Sequence, residues 1–333
     1  MGGYEQQVII NMKLYFSSLH HGKWNGGVKA NNLWVNILNQ MGIESYYIPN
    51  VEGKITPWLV DHCPQISVRD MMSNFNPNED LFVTTWPDDA VIAFIRQHQL
   101  PCVYMDLEWK WTLNFMKNIK WLIGSPFFKK YWTHSNHIKK LVKLHFDIGA
   151  TVVNEWSNSN VFYYAPSLKR PRTIGYTHEE NSDHIISSLK EHPLLKDKFH
   201  FLKIDGDERE FAEKLRTCEY FLGTNDGKYF DSLLEMKAEG CPRTQQEALH
   251  CGCVLLAKDV IGNREYLIDE PYFVKTGFFV DLGDINAIAK LFHRIETDPK
   301  QKSAVIQNAL KRVDQLFKAD DDKIKVIKNA LGR

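Results

Sequence analysis

The 333-residue sequence predicts an α/β protein built from two parallel-sheet domains that face each other across a cleft. Three observations lead there. The length suffices for two domains of ordinary size, each with its own core. Short apolar runs alternate with stretches of helical apolar period, which is the pattern of successive βα units. Between two such halves runs the proline-punctuated, charged stretch Ala165-Pro166-Ser167 to Pro171, which reads as the linker. The expected organisation is therefore an N-terminal domain over 1–165, a C-terminal domain over 166–315 and a last helical segment over 316–333.

Residues 1–11 read as an extension, and Met12 to Ser17 as the first strand. Gly26-Gly27-Val28 then leads into a helix over Lys29 to Met41, whose apolar face comprises Val28, Leu33, Val35, Ile37 and Leu38 and which Gly42 stops. A strand, a glycine pair and a helix together suit a phosphate, because glycine lets the backbone come close to a ligand. A turn that needs positive φ accounts for the glycines equally well. Glu44 to Ile48, Leu81 to Thr84 and Cys102 to Met105 read as further strands, with a helix over Asp88 to Gln97. Ligands of parallel sheets sit at the carboxyl ends of strands, so Asp106, with Glu108 beside it, is a candidate for the cleft. Its other reading is a cap for the helix that follows.

The stretch from Trp109 to Trp132, WKWTLNFMKNIKWLIGSPFFKKYW, is aromatic and basic. Trp111, Phe115, Ile119 and Leu122 fall on one helical face and Lys110, Asn114 and Lys117 on another. Two readings stand: a core-packed helix with a solvated lysine face, or a surface element for a glycan or lipid-linked acceptor and for peripheral membrane contact. Tyr131 to Asn136 reads as strand into loop and Ile138 to Phe146 as helix. His134 and His137 read as loop and capping groups, since no carboxylate or cysteine completes a metal site around them.

In the C-terminal half, Phe199 to Ile204 and Tyr220 to Gly223 read as strands, with Asp205-Gly206-Asp207 a loop suited to contact a nucleotide base. The stretch EGCPRTQQEALHCGCVLLAKDVIGNREYL, Glu239 to Leu267, carries the most chemistry. Pro242 is placed as the first residue of a helix, where its missing N–H costs nothing. The amides of Arg243 and Thr244, the helix dipole and the Arg243 charge would then suit a phosphate. Glu239 in the loop and Glu247 a turn inside the helix are carboxylates able to accept hydrogen bonds from sugar hydroxyls at two ends of a nucleotide-sugar. An ordinary helix with an Arg243–Glu247 surface pair is the simpler account of those two residues alone. Gly252 ends the helix and Val254 to Ala257 forms a buried strand. Ile285 to Ile295 and Ala304 to Phe317 read as helices.

The Glu-x7-Glu spacing of Glu239 and Glu247, with Ala-Leu-His-Cys-Gly-Cys-Val-Leu-Leu-Ala and Gly-Asn-Arg-Glu-Tyr-Leu after it, resembles the donor site of retaining GT-B glycosyltransferases of the family-four type. The resemblance implies two Rossmann-like domains and transfer of a sugar from a nucleotide-sugar to a hydroxyl acceptor, glycan or lipid-linked, without a metal or other cofactor. It implies that Glu239 holds the transferred sugar, that Glu247 holds the ribose, and that Gly240, Cys241, Arg243 and Thr244 line the donor loop. Gly26 and Gly27 would then face the donor phosphates. It also makes Arg172 to Tyr176 the first strand of the second domain, with Gly175 and Tyr176 at the donor. There the family usually has an arginine and, five residues on, a lysine; this chain has Tyr176 and Asn181. Lys228 and Arg243 are the nearest replacement cations in sequence. Where the family often has a histidine, the chain has Asp106-Leu107-Glu108, which leaves Asp106 as the catalytic candidate. The final helix, Asp322 to Leu331, would cross back to the first domain. A nucleotide-sugar epimerase and a non-catalytic sugar-nucleotide or glycan-binding protein are the alternatives.

Lys plus Arg and Asp plus Glu balance at 41 each, so no overall field favours nucleic acid or an anionic membrane. The six cysteines read as reduced core thiols, and Cys251-Gly252-Cys253 has no C-x-x-C spacing. With no signal-peptide core and no run of eighteen apolar residues, the expected location is cytoplasmic, with membrane contact restricted to the periphery.

Overall fold

The computed structural model of the protein describes residues 12–18, 26–49, 58–154, 157–178, 182–224, 242–269 and 274–317, with Lys325, Lys328 and Asn329 beyond them. Two sheets organise these residues. The first has six parallel strands: β1 (Leu14–Ser18), β2 (Ser45–Pro49), β3 (Leu81–Thr84), β4 (Cys102–Asp106), β5 (Phe128–Thr133) and β6 (Thr151–Val152). Their order across the sheet is β2-β1-β3-β4-β5-β6. The second has β7 (Arg170–Tyr176), β8 (His200–Lys203), β9 (Cys218–Gly223), β10 (Val254–Ala257) and β11 (Phe278–Phe279), also parallel, in the order β11-β10-β9-β7-β8.

The helices are α1 (Gly26–Gln40), α2 (Val68–Asn74), α3 (Asp89–His98), α4 (Trp109–Asn114), α5 (Met116–Gly124) and α6 (Asn136–Phe146) around the first sheet. Around the second are α7 (Ser182–Glu191), α8 (Glu208–Thr217), α9 (Arg243–His250), α10 (Ile285–Thr297) and α11 (Pro299–Phe317). Both faces of each sheet are covered, which is why the inner strands β3, β4, β9 and β10 are buried almost throughout, while β5, β7 and β8 carry the exposed Lys129, Arg172 and His200. In β1 and β3, Phe16 and Val83 pack on Trp34, Val35 and Leu38 of α1 on one face, while Tyr15 and Phe82 meet Ile95 of α3 and the rest of the opposite cluster. The second sheet repeats the arrangement, with Phe221 and Leu255 against Leu249 of α9 and Tyr220 and Leu256 against Phe292 of α10.

Local signals set the ends of these helices. Asp88 accepts from Val91 N, Ser135 from Ile138 N, Asp207 from Glu210 N and Asp284 from Ala287 N, each at a helix start. Gly42 (φ 77°) and Gly252 (φ 71°) follow the ends of α1 and α9 in the left-handed region. Four expectations shift. The helix expected from Lys29 begins at Gly26, so the glycine pair forms its first turn instead of a preceding loop. Pro242 stands one position outside α9, at its N-cap. The helix expected from Ala304 already begins at Pro299. The aromatic stretch is broken at Phe115 into α4 and α5.

The strand orders locate the ligand-binding edge. In the first sheet the chain winds from β1 out to β2 and then crosses to β3; in the second it winds from β7 to β8 and then crosses to β9. The carboxyl ends of β1 and β3, and of β7 and β9, are therefore the two switch points, where open α/β sheets leave a crevice. The segment 58–60 ties the two halves together beside them: Glu208 N donates to Trp58 O at 2.9 Å, and Val60 N donates to Glu208 Oε2 at 2.9 Å. At the far end of the chain, Asn154 Nδ2 donates to Leu316 O at 3.3 Å, linking α11 to the segment after β6. Apart from Lys325, Lys328 and Asn329, the segment expected to cross back, Asp322 to Leu331, lies outside the described residues.

Gly175 in β7 has a packing reason to be glycine. A Cβ there would meet Cys218 Sγ at 2.9 Å and Ile204 side-chain carbons at 3.3 Å. Gly175→Ala is expected to lower stability by about 1–3 kcal/mol through overpacking, read as a shift in the urea midpoint. An unchanged midpoint would mean that the β7–β9 contact is looser than its geometry.

Candidate active site

Three charged side chains meet between the two sheets. Lys29, in the first turn of α1, places its Nζ 2.5 Å from Glu247 Oε1 of α9 and 2.8 Å from Glu208 Oε1 of α8. Their side chains are 12%, 3% and 4% exposed, so this is a buried trio and not a surface pair. The Lys29 ammonium also lies over the Phe162 ring, 4.4 Å from its centroid. α1 follows β1, α8 follows β8 and α9 follows β9. All three residues thus project from helix turns near strand carboxyl ends, and their contact shows that the carboxyl edges of the two sheets face each other.

The backbone explains why each carboxylate is there. Asp207 caps α8, so Glu208 is its first helical residue, where the helix dipole favours negative charge. Glu247 lies one turn into α9, whose first bonds run from Gln245 N and Gln246 N to Pro242 O. The amides at Arg243 and Thr244 stand ahead of those bonds, at the positive end of the helix. Burial pushes the Glu247 carboxyl up, while Lys29 and Arg243 pull it back and Glu208 pushes it further up. Taking that carboxylate out of water is offset only by its partners, so a ligand that reaches it must supply hydrogen bonds in their place.

On the first domain, no atom of the described residues lies within 4 Å of where a Cβ on Gly26 would stand. Packing does not require glycine there, and open space beside a helix start is what a ligand approaching the backbone needs. Asn31, a little further along α1, donates from Nδ2 to Thr85 Oγ1 at 3.2 Å, tying α1 to the loop after β3. On the same edge a groove of about 520 Å³ opens between the start of α3 and the α4–α5 corner, lined by Asp88, Asp89, Asn114, Phe115, Lys117 and Asn118.

Asp106 is not a cleft residue. It is fully buried, with Oδ2 accepting from Thr112 Oγ1 at 2.8 Å and from Tyr131 OH at 2.9 Å, and Oδ1 accepting from Glu108 N at 3.1 Å. It ties the start of α4 to β5, and since α4 has Glu108 as its N-cap with no side-chain cap bond, Asp106 does not cap that helix either. Tyr176 ends β7 and is 8% exposed. Of the aromatic stretch, Trp109 and Trp132 are wholly buried, as are Ile119 and Leu122, so the core reading holds for them. Trp111 and Phe115 are half-buried and meet Trp86, whose ring centroid is 4.3 Å from that of Trp111 and 5.0 Å from that of Phe115. No helix among the described residues is long and apolar enough to cross a membrane. Cys63, Cys102, Cys218, Cys251 and Cys253 are buried and free. Glu239, Gly240, Cys241, Lys228 and Asn181 lie outside the described residues.

This geometry can be compared with known proteins. The sequence model of the glycosyl transferases group 1 family matches residues 191–312, which include β8, β9, α9 and β10. No curated protein matches the chain in sequence. Among solved structures, Anabaena HepE in complex with UDP-glucose superposes with a TM-score of 0.68 at 14% identity, covering 96% of this chain and 98% of that one. The fold is GT-B. Sucrose-phosphate synthase from Thermosynechococcus elongatus gives a TM-score of 0.65 at 14% identity over 96% of this chain and 98% of that one. The pneumococcal O-GlcNAc transferase GtfA, in complex with UDP and GlcNAc, gives 0.66 at 9% identity, again over 96% and 98%. In this GT-B fold two Rossmann-like domains face each other, and the Lys29, Glu208 and Glu247 trio lies where the carboxyl edges of their sheets meet.

Sequence reasoning assigned no role to Lys29, Glu208 or Phe162. Lys29 stands three positions after Gly26 and Glu208 directly after Asp205-Gly206-Asp207, so both follow loops already singled out. That they meet is a tertiary fact, since Lys29 and Glu247 are 218 positions apart.

Burial pushes the Asp106 carboxyl up to about 6 from 3.8, the Thr112 and Tyr131 hydrogen bonds pulling in the opposite direction. The folded protein therefore holds this proton to higher pH than the unfolded chain. The resulting stabilisation is full below about pH 4 and is lost as pH rises towards 6. Asp106→Asn removes that dependence. The stability of wild type relative to Asp106→Asn, from urea titrations at pH 4 and pH 7, is expected to be on the order of 2–3 kcal/mol more favourable at pH 4. A difference that does not change with pH would show that folding leaves the Asp106 carboxyl at its ordinary value.

Proposed function

We propose that the protein is a retaining, metal-independent glycosyltransferase that moves a sugar from a nucleotide-sugar to a hydroxyl acceptor. The observation that carries this reading is the burial of Glu247 in α9, at the facing switch points of a GT-B fold. The match of the group 1 family model across the same helix supports it. A carboxylate one turn inside a helix whose first amides face the crevice can take the ribose hydroxyls while those amides take the distal phosphate. Arg243 and Thr244 serve the phosphate, and Gly26 and Gly27 give it access from the first domain. Glu239, with Gly240 and Cys241, belongs to the transferred sugar in this reading, and Lys228 is held as a candidate phosphate cation.

In the proposed reaction the acceptor enters from the N-terminal domain, and its hydroxyl attacks the anomeric carbon on the face from which the nucleoside diphosphate departs. The leaving phosphate takes the acceptor proton, and Glu239 orients the sugar without bonding to it. Helix amides aimed at the phosphate stabilise the charge that develops there, an effect strongest in a site closed to water. Several structural neighbours were solved in complex with UDP or UDP-glucose, which makes uridine donors the first to test.

Two variants test the donor site. In a thermal-shift series with common nucleoside diphosphates and nucleotide-sugars, binding to the folded state raises the midpoint by mass action. One nucleotide series is expected to stabilise the wild type, and Glu247→Ala to abolish the shift. Absence of any shift in wild type would move the protein to the glycan-binding alternative, and turnover of the donor without an acceptor to the epimerase. Gly26→Ala should cost no folding stability, because the new methyl has open space and alanine favours a helix by up to about 1 kcal/mol over glycine. It should nevertheless weaken nucleotide-sugar binding if the donor phosphates lie against that turn; unchanged binding places them elsewhere. NMR of the anomeric proton of the product against that of the donor decides retention.

A further inference from the structure

A nucleoside diphosphate brings at least two negative charges into the crevice, where β7 ends on the uncharged Tyr176 and one Lys29 ammonium is shared between two buried carboxylates. We infer that Lys29 supplies a cation for the diphosphate beside Arg243: when the donor ribose takes Glu247, the Lys29 ammonium leaves that carboxylate and turns to the donor diphosphate. The inference rests on the donor reading proposed above.

Four features of the site favour this exchange. Lysine carries a point charge on a flexible four-carbon stem, so its ammonium can change partner without moving the backbone. Ribose hydroxyls donating to Glu247 Oε1 replace the hydrogen bond that Lys29 gives up, and the buried carboxylate stays satisfied. Glu208, 2.8 Å from Nζ, and the Phe162 ring, 4.4 Å below it, keep the ammonium at the crevice while it moves. Lys29 also sits in the same helical turn as Gly26, beside the open space a phosphate would enter. Lys29 is therefore a donor-binding residue contributed by the first domain, and its change of partner couples donor arrival to the contact between the domains.

The test separates phosphate recognition from a structural brace. Affinities of UDP, GDP, ADP, CDP and dTDP, and of the matching nucleosides, are measured by calorimetry on the wild type, Lys29→Met, Lys29→Arg and the double variant Lys29→Met with Glu208→Gln. The double variant keeps the net charge of the trio and guards against a fold weakened by two unpaired carboxylates. For the diphosphate that binds, Lys29→Met and the double variant should lose about tenfold or more in affinity, the size of one charge-assisted contact. The matching nucleoside should bind as in wild type or tighter, because its ribose no longer competes with Lys29 for Glu247, and Lys29→Arg should retain most of the diphosphate affinity. Equal loss for nucleoside and diphosphate would reduce Lys29 to a brace and overturn the inference, as would an unchanged diphosphate affinity; both leave the donor reading intact. If neither ligand class binds the wild type, the donor reading falls and the inference with it.

Discussion

One ammonium buried between two carboxylates joins the halves of this protein. Lys29 reaches Glu247 at 2.5 Å and Glu208 at 2.8 Å, and each of the three side chains comes from a different helix. A single buried carboxylate would be costly, and two of them within reach of each other more so, unless a cation sits between. The relative placement of the sheets therefore depends on Lys29, and so does the state of Glu247. Because the contact spans the two sheets, anything that alters the electrostatics of Glu247 also acts on the seam between the domains.

The segment 58–60 and Phe162 add to that seam, as do the bonds from Asn154 to Leu316 and from His137 N to the Glu265 carboxylate. Trp58 O and Val60 N hold the backbone and carboxylate of Glu208, and the Phe162 ring gives Lys29 an aromatic face. Glu208 is held by the 58–60 segment as well as by Lys29, and Glu247 by Lys29 with Arg243 acting on it as well.

The first domain shows the same economy in polar burial. Asp106 lies fully inside, yet Thr112, Tyr131 and the Glu108 amide satisfy it, and Tyr104 OH pairs with Thr112 Oγ1 at 2.8 Å. The network fixes the corner from which α4 and α5 spring, and with it one wall of the groove that carries Asp88, Asp89 and Asn118. Trp109 and Trp132 anchor the same region from within. An aromatic, basic stretch is thus divided: its largest rings stabilise the core, while Trp111 and Phe115 stay at the half-buried rim with Trp86.

The sequence by itself determined the local structure. Apolar runs of strand length, capping residues such as Asp88, Ser135 and Asp207, and glycines at φ 77° and 71° are governed by neighbours in the chain, so most strands were legible within a residue or two, while α1 and α11 begin ahead of the expected Lys29 and Ala304 and α7 and α8 were not read at all. Glu247 and Arg243 were legible too, because a helix start and the turn after it follow from local order. The tertiary structure decided everything that depends on what a side chain meets across the fold. Asp106 stands where a cleft residue would stand in the sequence, but it is enclosed by Thr112 and Tyr131. Lys29 looked like an ordinary first-turn lysine until the carboxyl edges of two sheets were brought face to face. Pairing over 218 positions carries no local signal, because it is set by how whole domains pack and not by the residues on either side.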